Sequence, residues 1–158
     1  MIVARAAELD LQRVLARREC VIAIGEGELR GDVLAAALHS DYFVVSDTAT
    51  LSIDTGKAWS GVVWRIGRRA LLLPGADLTV AEARGHALCD ALVPAGSDPV
   101  EWVRGWLGGR SALALDSAAT LIVRRGGDAL ERAEFARLFA IGEPQQGLTA
   151  FLEKRKRS

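Results

Sequence analysis

The segment from residue 20 to residue 45 constrains the fold of this chain more than any other part. It reads C-V-I-A-I-G-E-G-E-L-R-G-D-V-L-A-A-A-L-H-S-D-Y-F-V-V. An apolar strand at 20–24 leads into a loop with three glycines, a helix of small residues from about 32 to 40, and a second apolar strand at 42–45. A glycine loop at a helix N-terminus leaves backbone N–H groups free to bind an anion or an oxyanion. The pattern therefore predicts an α/β fold with a binding site at the start of this helix.

This order closely resembles the oxyanion-loop segment of the crotonase superfamily, whose enoyl-CoA hydratases and isomerases carry N-G-x-x-x-G-G-G-x-E-L-A-x-x-C-D. Gly27 and Gly31 match glycines of that motif, and Asp41 matches its closing aspartate. Asp32 stands at the central glycine, and Ala35 stands at the first catalytic glutamate. The resemblance implies a retained scaffold with altered chemistry.

Three further strings follow in the order expected of the same superfamily. They are T-V-A-E-A at 79–83, A-L-C-D-A-L-V-P at 87–94 and G-L-T-A-F-L-E-K-R-K-R at 147–157. The resemblance then covers nearly the whole chain and implies an α/β, crotonase-like, partial β-β-α spiral core with a C-terminal helical trimerisation region. We expect the α/β core to span residues 1–95 and the helical region to span residues 96–158.

The departures from the family pattern are equally specific. Family members begin with a βαβ portion whose A-F-S-A-G-x-D-L loop supplies one of two oxyanion-hole N–H groups. Apolar residues at helical spacing predict a helix over residues 4–18 instead, so we expect an N-terminally truncated, divergent member. The second family glutamate falls on Thr55, with Asp54 beside it, and the glycine-rich segment is shortened around residues 56–66.

These departures bear directly on catalysis. Enzymes of this family bind a thioester carbonyl oxygen between two backbone N–H groups. Loss of one such donor raises the activation free energy by about 2.7–4 kcal/mol. Hydration also needs a carboxylate pair, and a positioned acid or base contributes roughly 10²–10⁴-fold. With Ala35 and Thr55 at the two glutamate positions, ordinary two-glutamate hydration is not expected.

Two aspartates are candidate catalytic replacements. Asp54 lies one position from the family's second acid, and Asp32 lies at the N-terminus of the oxyanion helix, where the helix dipole keeps a carboxylate ionised. Gly27, Gly31 and Asp32 are the candidate oxyanion and substrate-binding positions. The structural alternatives are a helix-capping role for Asp32 and a turn role for Asp54.

The C-terminal run from 154 to 157 contains Lys154 and Lys156. In the resembled family, basic residues at this terminus lie near the CoA nucleotide, so the resemblance implies that these lysines contact CoA phosphates. The alternative is a solvated tail. Coenzyme A would enter as part of an acyl-CoA substrate, with no separate cofactor and no metal.

Three functional hypotheses follow. The first is an enoyl-CoA hydratase/isomerase-like protein that acts on or binds an acyl-CoA thioester. The second is a non-catalytic crotonase-like scaffold or partner subunit, and the third is a fragment whose missing half is supplied by a separate chain. The resemblance implies a homo-oligomer, a trimer or hexamer, and the second hypothesis adds a full-length crotonase homologue as partner.

Composition narrows the classes of function and the cellular location that remain. Twenty basic and twenty acidic residues give a net charge of zero, so no global attraction to nucleic acid or to a membrane is expected. Cys20 and Cys89 lie in apolar runs and are predicted to be buried free thiols, while His39 is predicted to be a hydrogen-bonded core residue. Without a disulfide pattern, a signal peptide or a long apolar run, we expect a cytoplasmic protein.

Overall fold

The computed structural model describes residues 1–17, 19–54, 56–124, 127–145, 148–149 and 152. The chain divides into two compact units. The core unit comprises Ile2–Arg17 and Val21–Gly108, and the helical unit comprises Met1, residues 18–20 and the chain from Gly109 onward. The domain boundary predicted between residues 95 and 96 stays a prediction, because compactness alone does not identify an independently folding part.

Strands and helices alternate through most of the core unit. The strands are β1 (Ile2–Arg5), β2 (Val21–Gly25), β3 (Glu28–Leu29), β4 (Tyr42–Val45), β5 (Thr50–Ser52), β6 (Asp77–Thr79) and β7 (Ala91–Leu92). The α-helices are α1 (Leu11–Ala16), α2 (Gly31–His39), α3 (Lys57–Ile66), α4 (Val80–Gly85), α5 (Pro99–Leu107), α6 (Ala112–Val123) and α7 (Asp128–Ala140). Two 3-10 helices lie at Ala6–Glu8 and Gly67–Leu72.

The strands form two sheets. One sheet is parallel throughout, in the order β1-β2-β4-β7, and the other has the order β3-β5-β6 with β5 and β6 antiparallel. Every residue of β2 is buried, as its continuous apolar sequence predicts for an inner parallel strand. The chain passes from the first sheet to the second within the glycine loop, since β3 lies between β2 and α2.

Helix α2 is the centre of the core. Leu34, Leu38 and the three alanines between them are fully buried, because small side chains let the sheets and α3 approach this helix closely. The main cluster combines α2 with Phe43, Leu51 and Ile53 from the two sheets. The start of α2 is therefore held by a rigid scaffold.

The predicted helix over residues 4–18 is wrong in its first half. Residues 2–5 form β1, in register with β2 from Ile2 opposite Val21 onward. β-Branched residues at the start of this segment favour the strand, and the Asp10 carboxylate caps α1 by accepting the Arg13 N–H at 2.8 Å. Leu15, predicted to lie on the apolar face, is exposed.

Most other elements expected from the sequence are confirmed, although the observed strands are shorter than the predicted ones. The segments 48–53 and 89–93 each predict a strand, and β5 and β7 occupy the middle parts of these segments. Thr79 and Glu82 form the predicted capping box of α4. Asp98 caps α5 by accepting the Glu101 N–H at 2.8 Å, and Cys20 and Cys89 are buried free thiols.

The helical unit contains α6 and α7. Ser111 caps α6, and the Ser117 hydroxyl joins the helices by donating to Glu134 at 2.9 Å. Helix α7 begins at Asp128 with Gly127 as its N-cap residue, so the predicted cap by Asp128 is wrong. Phe135 and Phe139 are exposed on α7, and their tilted rings are in contact with centroids 4.6 Å apart. The predicted final helix lies mostly outside the described residues.

Candidate functional site

The glycine loop has the backbone geometry that requires glycine. Gly27 and Gly31 have φ values of +63° and +54°, in the left-handed region that side-chain-bearing residues rarely adopt. The Gly27 carbonyl accepts the Thr50 N–H at 2.9 Å, which fixes the loop against the second sheet. Both candidate oxyanion glycines therefore lie where the sequence predicts, at the entrance to α2.

Helix α2 is not capped by its own N-cap residue. Its N-cap residue is Arg30, which makes no capping hydrogen bond through its side chain. The first backbone N–H groups of a helix have no partner within the helix, and they carry the positive end of its dipole. A carbonyl oxygen that gains negative charge would be stabilised at this position.

Asp32 lies in the first turn of α2 and is exposed. Its carboxylate accepts a hydrogen bond from the Lys57 ammonium at 2.7 Å, and both side chains are more than half exposed. The structural alternative raised for Asp32, capping of its own helix, is therefore not the contact observed. Because exposed ion pairs contribute only about 0–1 kcal/mol, either side chain is free to reorganise around a ligand.

Asp54 follows β5 and is also exposed. Its Oδ1 accepts the Gly56 N–H at 2.9 Å, a local turn of the kind that aspartate commonly stabilises. Thr55, at the family's second glutamate position, lies outside the described residues. Since Lys57 begins α3 and binds Asp32, the chain brings the turn of Asp54 close to the N-terminus of α2.

Ala35 occupies the first glutamate position and has no exposed surface. Its methyl group faces the packed core around α2, so no proton donor or acceptor is supplied from this position. The candidate site therefore combines a glycine loop of positive φ at the start of α2 with a position 35 that carries no acid.

Asp41, the closing aspartate of the motif, has a structural role. Its two carboxylate oxygens accept hydrogen bonds from Arg17 Nε at 3.0 Å and Arg17 Nη2 at 2.9 Å, and Oδ2 also accepts the Val21 N–H at 2.8 Å. The Arg17 and Asp41 side chains are only 6% and 11% exposed. Asp41 thus joins the segment after α1 to β2 and holds the scaffold behind the glycine loop.

Arg65 is a second structural residue of this kind, and sequence reasoning missed it. From α3 its guanidinium donates to the backbone carbonyls of Leu38 and Ser40 at 2.8 and 3.2 Å, at the C-terminus of α2, and to Asp90 at 2.8 Å. A cation at this end of a helix is favoured by the helix dipole. Arg65 therefore fixes α3, which carries Lys57, against α2.

His39 makes the predicted hydrogen bond, but it is half-buried beside α3 and not a core residue. Its Nε2 lies 3.0 Å from the Ser60 hydroxyl, and its ring lies beside Trp64 with centroids 6.3 Å apart. Partial burial, and then the positive charges of Arg17 and Arg65, lower the pKa of His39 below its ordinary value of 6.5. The imidazole is therefore kept neutral.

This lowered pKa predicts a pH dependence of stability. Below pH 6.5 the unfolded chain binds a proton at His39 before the folded chain does, so stability should decline as the pH falls through the lowered pKa. Urea unfolding above and below pH 6.5 should show a larger loss of stability at the lower pH in the wild type than in His39→Gln. An equal loss in both proteins would contradict this role of His39.

Other predicted site features fall elsewhere. Lys154 and Lys156 lie outside the described residues, so their contact with CoA phosphates stays a prediction. Among the residues that the structure describes, no cluster of His, Cys, Asp and Glu is suited to a metal ion. An open apolar groove of about 520 Å³ in the core unit is lined by Asp47, Val80, Leu92 and neighbouring residues, none of them a predicted site residue.

No protein-family model matches the sequence, and the comparison with curated proteins gives no match. Many solved structures match, and they share one fold. An enoyl-CoA hydratase/isomerase from Marinobacter aquaeolei has a TM-score of 0.72 at 23% identity, with 91% of this chain and 62% of that chain covered. An enoyl-CoA hydratase subunit I from Geobacillus kaustophilus has a TM-score of 0.74 at 26% identity, covering 91% of this chain and 63% of that chain. An enoyl-CoA hydratase from Polaromonas sp. has a TM-score of 0.73 at 23% identity, with 91% of this chain and 63% of that chain covered.

The chain therefore has the crotonase fold of the enoyl-CoA hydratase/isomerase proteins. The resemblance and the α/β fold class predicted from the sequence are confirmed at this level. The chain spans about 62% of the length of these solved structures. No helix in the described part of the chain is long and apolar enough to cross a membrane.

Proposed function

We propose that this protein binds an acyl-CoA thioester in a crotonase-type site and does not hydrate it by the two-glutamate mechanism. The observation that carries the proposal is the pairing of a glycine loop of positive φ at the start of α2 with a fully buried Ala35, at the position that the resemblance assigns to the first glutamate. The proposed setting is the cytoplasm, where buried free thiols such as Cys20 and Cys89 persist.

The binding half of the proposal rests on the start of α2. Gly31 gives the chain the sharp turn into the helix, and the uncapped N–H groups supply donors for the thioester oxygen. Asp32 stands beside these donors, and its carboxylate would repel an oxyanion unless Lys57 neutralises it. Because Lys57 is paired with Asp32, this repulsion is reduced as long as the ion pair is intact.

The catalytic half depends on Asp54. It is the candidate acid or base for double-bond isomerisation, which some crotonase-type enzymes perform with one carboxylate. Its hydrogen bond to Gly56 supports the alternative turn role. Asp32 is the other catalytic candidate, and its pairing with Lys57 supports an electrostatic role.

A second candidate function is a non-catalytic crotonase-like scaffold or a partner subunit of a full-length homologue. The observation that favours it is the apolar surface of the helical unit, where Ile122, Phe135 and Phe139 are exposed. Exposed apolar patches mark association surfaces. A homo-oligomer, a trimer or a hexamer, would cover the same surface.

Thermal unfolding in the presence of crotonyl-CoA or free CoA tests the binding proposal. A ligand at about 100 times its Kd stabilises the native state by about 2.7 kcal/mol. For a chain of this size, that stabilisation corresponds to a rise in Tm of roughly 5–10 °C. No shift with either ligand, at concentrations that saturate an active enoyl-CoA hydratase, would refute acyl-CoA binding and leave the scaffold function.

Turnover of crotonyl-CoA, and of a 3-enoyl-CoA for isomerisation, separates binding from catalysis. Asp54→Asn removes the candidate base, and Asp47→Asn is a matched control at an exposed aspartate outside the proposed site. We expect buffer-level hydration from all three proteins. Isomerisation present in the wild type and Asp47→Asn but lost in Asp54→Asn would assign catalysis to Asp54.

A further inference from the structure

Residues 63–71 form an exposed surface that combines apolar and cationic side chains. Val63, Trp64 and Leu71 are 44%, 47% and 73% exposed, and Arg68 and Arg69 are also exposed. These residues lie at the end of α3 and in the 3-10 helix that follows it. We call them the 63–71 surface.

The fold holds this surface outward. Ala70 and Leu73 are buried in the main cluster on either side of Leu71, and Ile66 packs against the same cluster. Gly67, with φ of +55°, turns the chain between α3 and the 3-10 helix. The exposure of Trp64 and Leu71 is therefore set by anchors on both sides and does not reflect a loose loop.

The segment that contains the 63–71 surface carries only positive charges. Residues 56–76 contain four basic residues and no acidic residue. Lys57 and Arg65 are paired with Asp32 and Asp90, which leaves two arginines. Within the described part of the chain, neither Arg68 nor Arg69 has an ion pair, so both are available to an external anion.

We propose that the 63–71 surface docks on a bilayer of anionic phospholipid. Tryptophan and apolar side chains lie favourably at the boundary between headgroups and acyl chains, and each arginine near an anionic bilayer strengthens binding about fivefold. The net charge of zero does not oppose this contact, because interactions between exposed charges are largely screened beyond about 8 Å at physiological salt. The contact is peripheral and needs no membrane-spanning helix.

Cosedimentation with vesicles tests the proposal. The whole chain is mixed with vesicles of phosphatidylcholine, or with vesicles that also contain phosphatidylserine, at low and at raised salt. We expect binding to the phosphatidylserine vesicles alone, weakened by salt, and about 30-fold weaker binding for Arg68→Gln/Arg69→Gln. The matched control is Arg13→Gln/Arg104→Gln, which removes the same charge at exposed arginines outside the 63–71 surface and should bind as the wild type does.

Fluorescence identifies the contacting side chain. The tryptophan emission should shift to shorter wavelength when phosphatidylserine vesicles are added. Trp64→Phe should remove this shift. The same substitution should leave the Tm of the protein unchanged, because Trp64 is exposed. Equal binding to both vesicle types, no binding, or an unaffected arginine double variant would overturn the proposal. A change of oligomeric state in the arginine double variant by light scattering would also overturn it, by making the surface an interface between copies. A failure of CoA binding leaves the vesicle result intact, since the two experiments use different surfaces.

Discussion

Replacement of Asp41 by alanine is expected to lower the free energy of unfolding by about 3–5 kcal/mol. The substitution leaves the Arg17 guanidinium buried without its carboxylate, and it leaves the Val21 N–H without its acceptor. Taking one partner from a buried ion pair is costly because the remaining charge is neither solvated nor paired. Urea unfolding of the wild type and Asp41→Ala measures the difference directly.

An exposed ion pair provides the matched control. Arg104 and Glu101 are bonded across one turn of α5, and both side chains are about two-thirds exposed. Glu101→Ala should therefore change stability by less than about 1 kcal/mol. If the Asp41 and Glu101 variants lose the same small amount, burial of the Arg17–Asp41 pair does not stabilise the scaffold.

A double substitution separates the pair from the rest of the site. Arg17→Met together with Asp41→Leu removes both charges, and replacing a buried pair by apolar residues is often close to neutral. The double variant should therefore be more stable than Asp41→Ala, with the unpaired Val21 N–H as its remaining cost. A double variant that is less stable than the single one would contradict this assignment.

The sequence predicts the elements around the glycine loop well because three independent signals agree there. The β2 segment is apolar throughout, the loop contains three glycines, and the α2 segment is rich in small residues. Strand β1 was mistaken for the start of a helix because four residues are too few to establish a period of two. The sequence of the α3 segment gives no clear pattern, because Gly61 and Gly67 interrupt its apolar spacing.

The positions of the candidate site come from the resemblance to the crotonase oxyanion-loop motif, which Gly27, Gly31, Asp32, Ala35 and Asp41 match or replace residue by residue. Their role in binding stays a prediction, and their contacts could not be predicted from the sequence. The partners of the charged residues could not be predicted because Arg17 lies 24 residues from Asp41 and Lys57 lies 25 from Asp32. Only the fold brings such distant residues together, so a local sequence pattern does not predict these ion pairs.

Gly61 lies inside α3, although glycine generally weakens a helix. A Cβ atom added there would lie 2.5 Å from the Leu38 Cβ, far inside the contact distance of two carbons. The absence of a side chain at Gly61 therefore permits the close approach of α2 and α3. That approach keeps Arg65 in reach of the C-terminus of α2, and Lys57 in reach of Asp32.

Gly61→Ala is expected to cost about 3 kcal/mol, at the upper end of the range for overpacking, because the clash involves a Cβ that cannot rotate away. Gly105 in α5 is the matched control, since an added Cβ meets no atom within 4 Å there. Gly105→Ala should instead stabilise the protein by about 0.5–1 kcal/mol through helix propensity. The same chemical change should thus have opposite signs in two helices, as measured by urea unfolding. Equal effects of the two substitutions would mean that α2 and α3 separate easily. In that case Lys57 would not be held beside Asp32, and the start of α2 would lose the neighbour that neutralises its carboxylate.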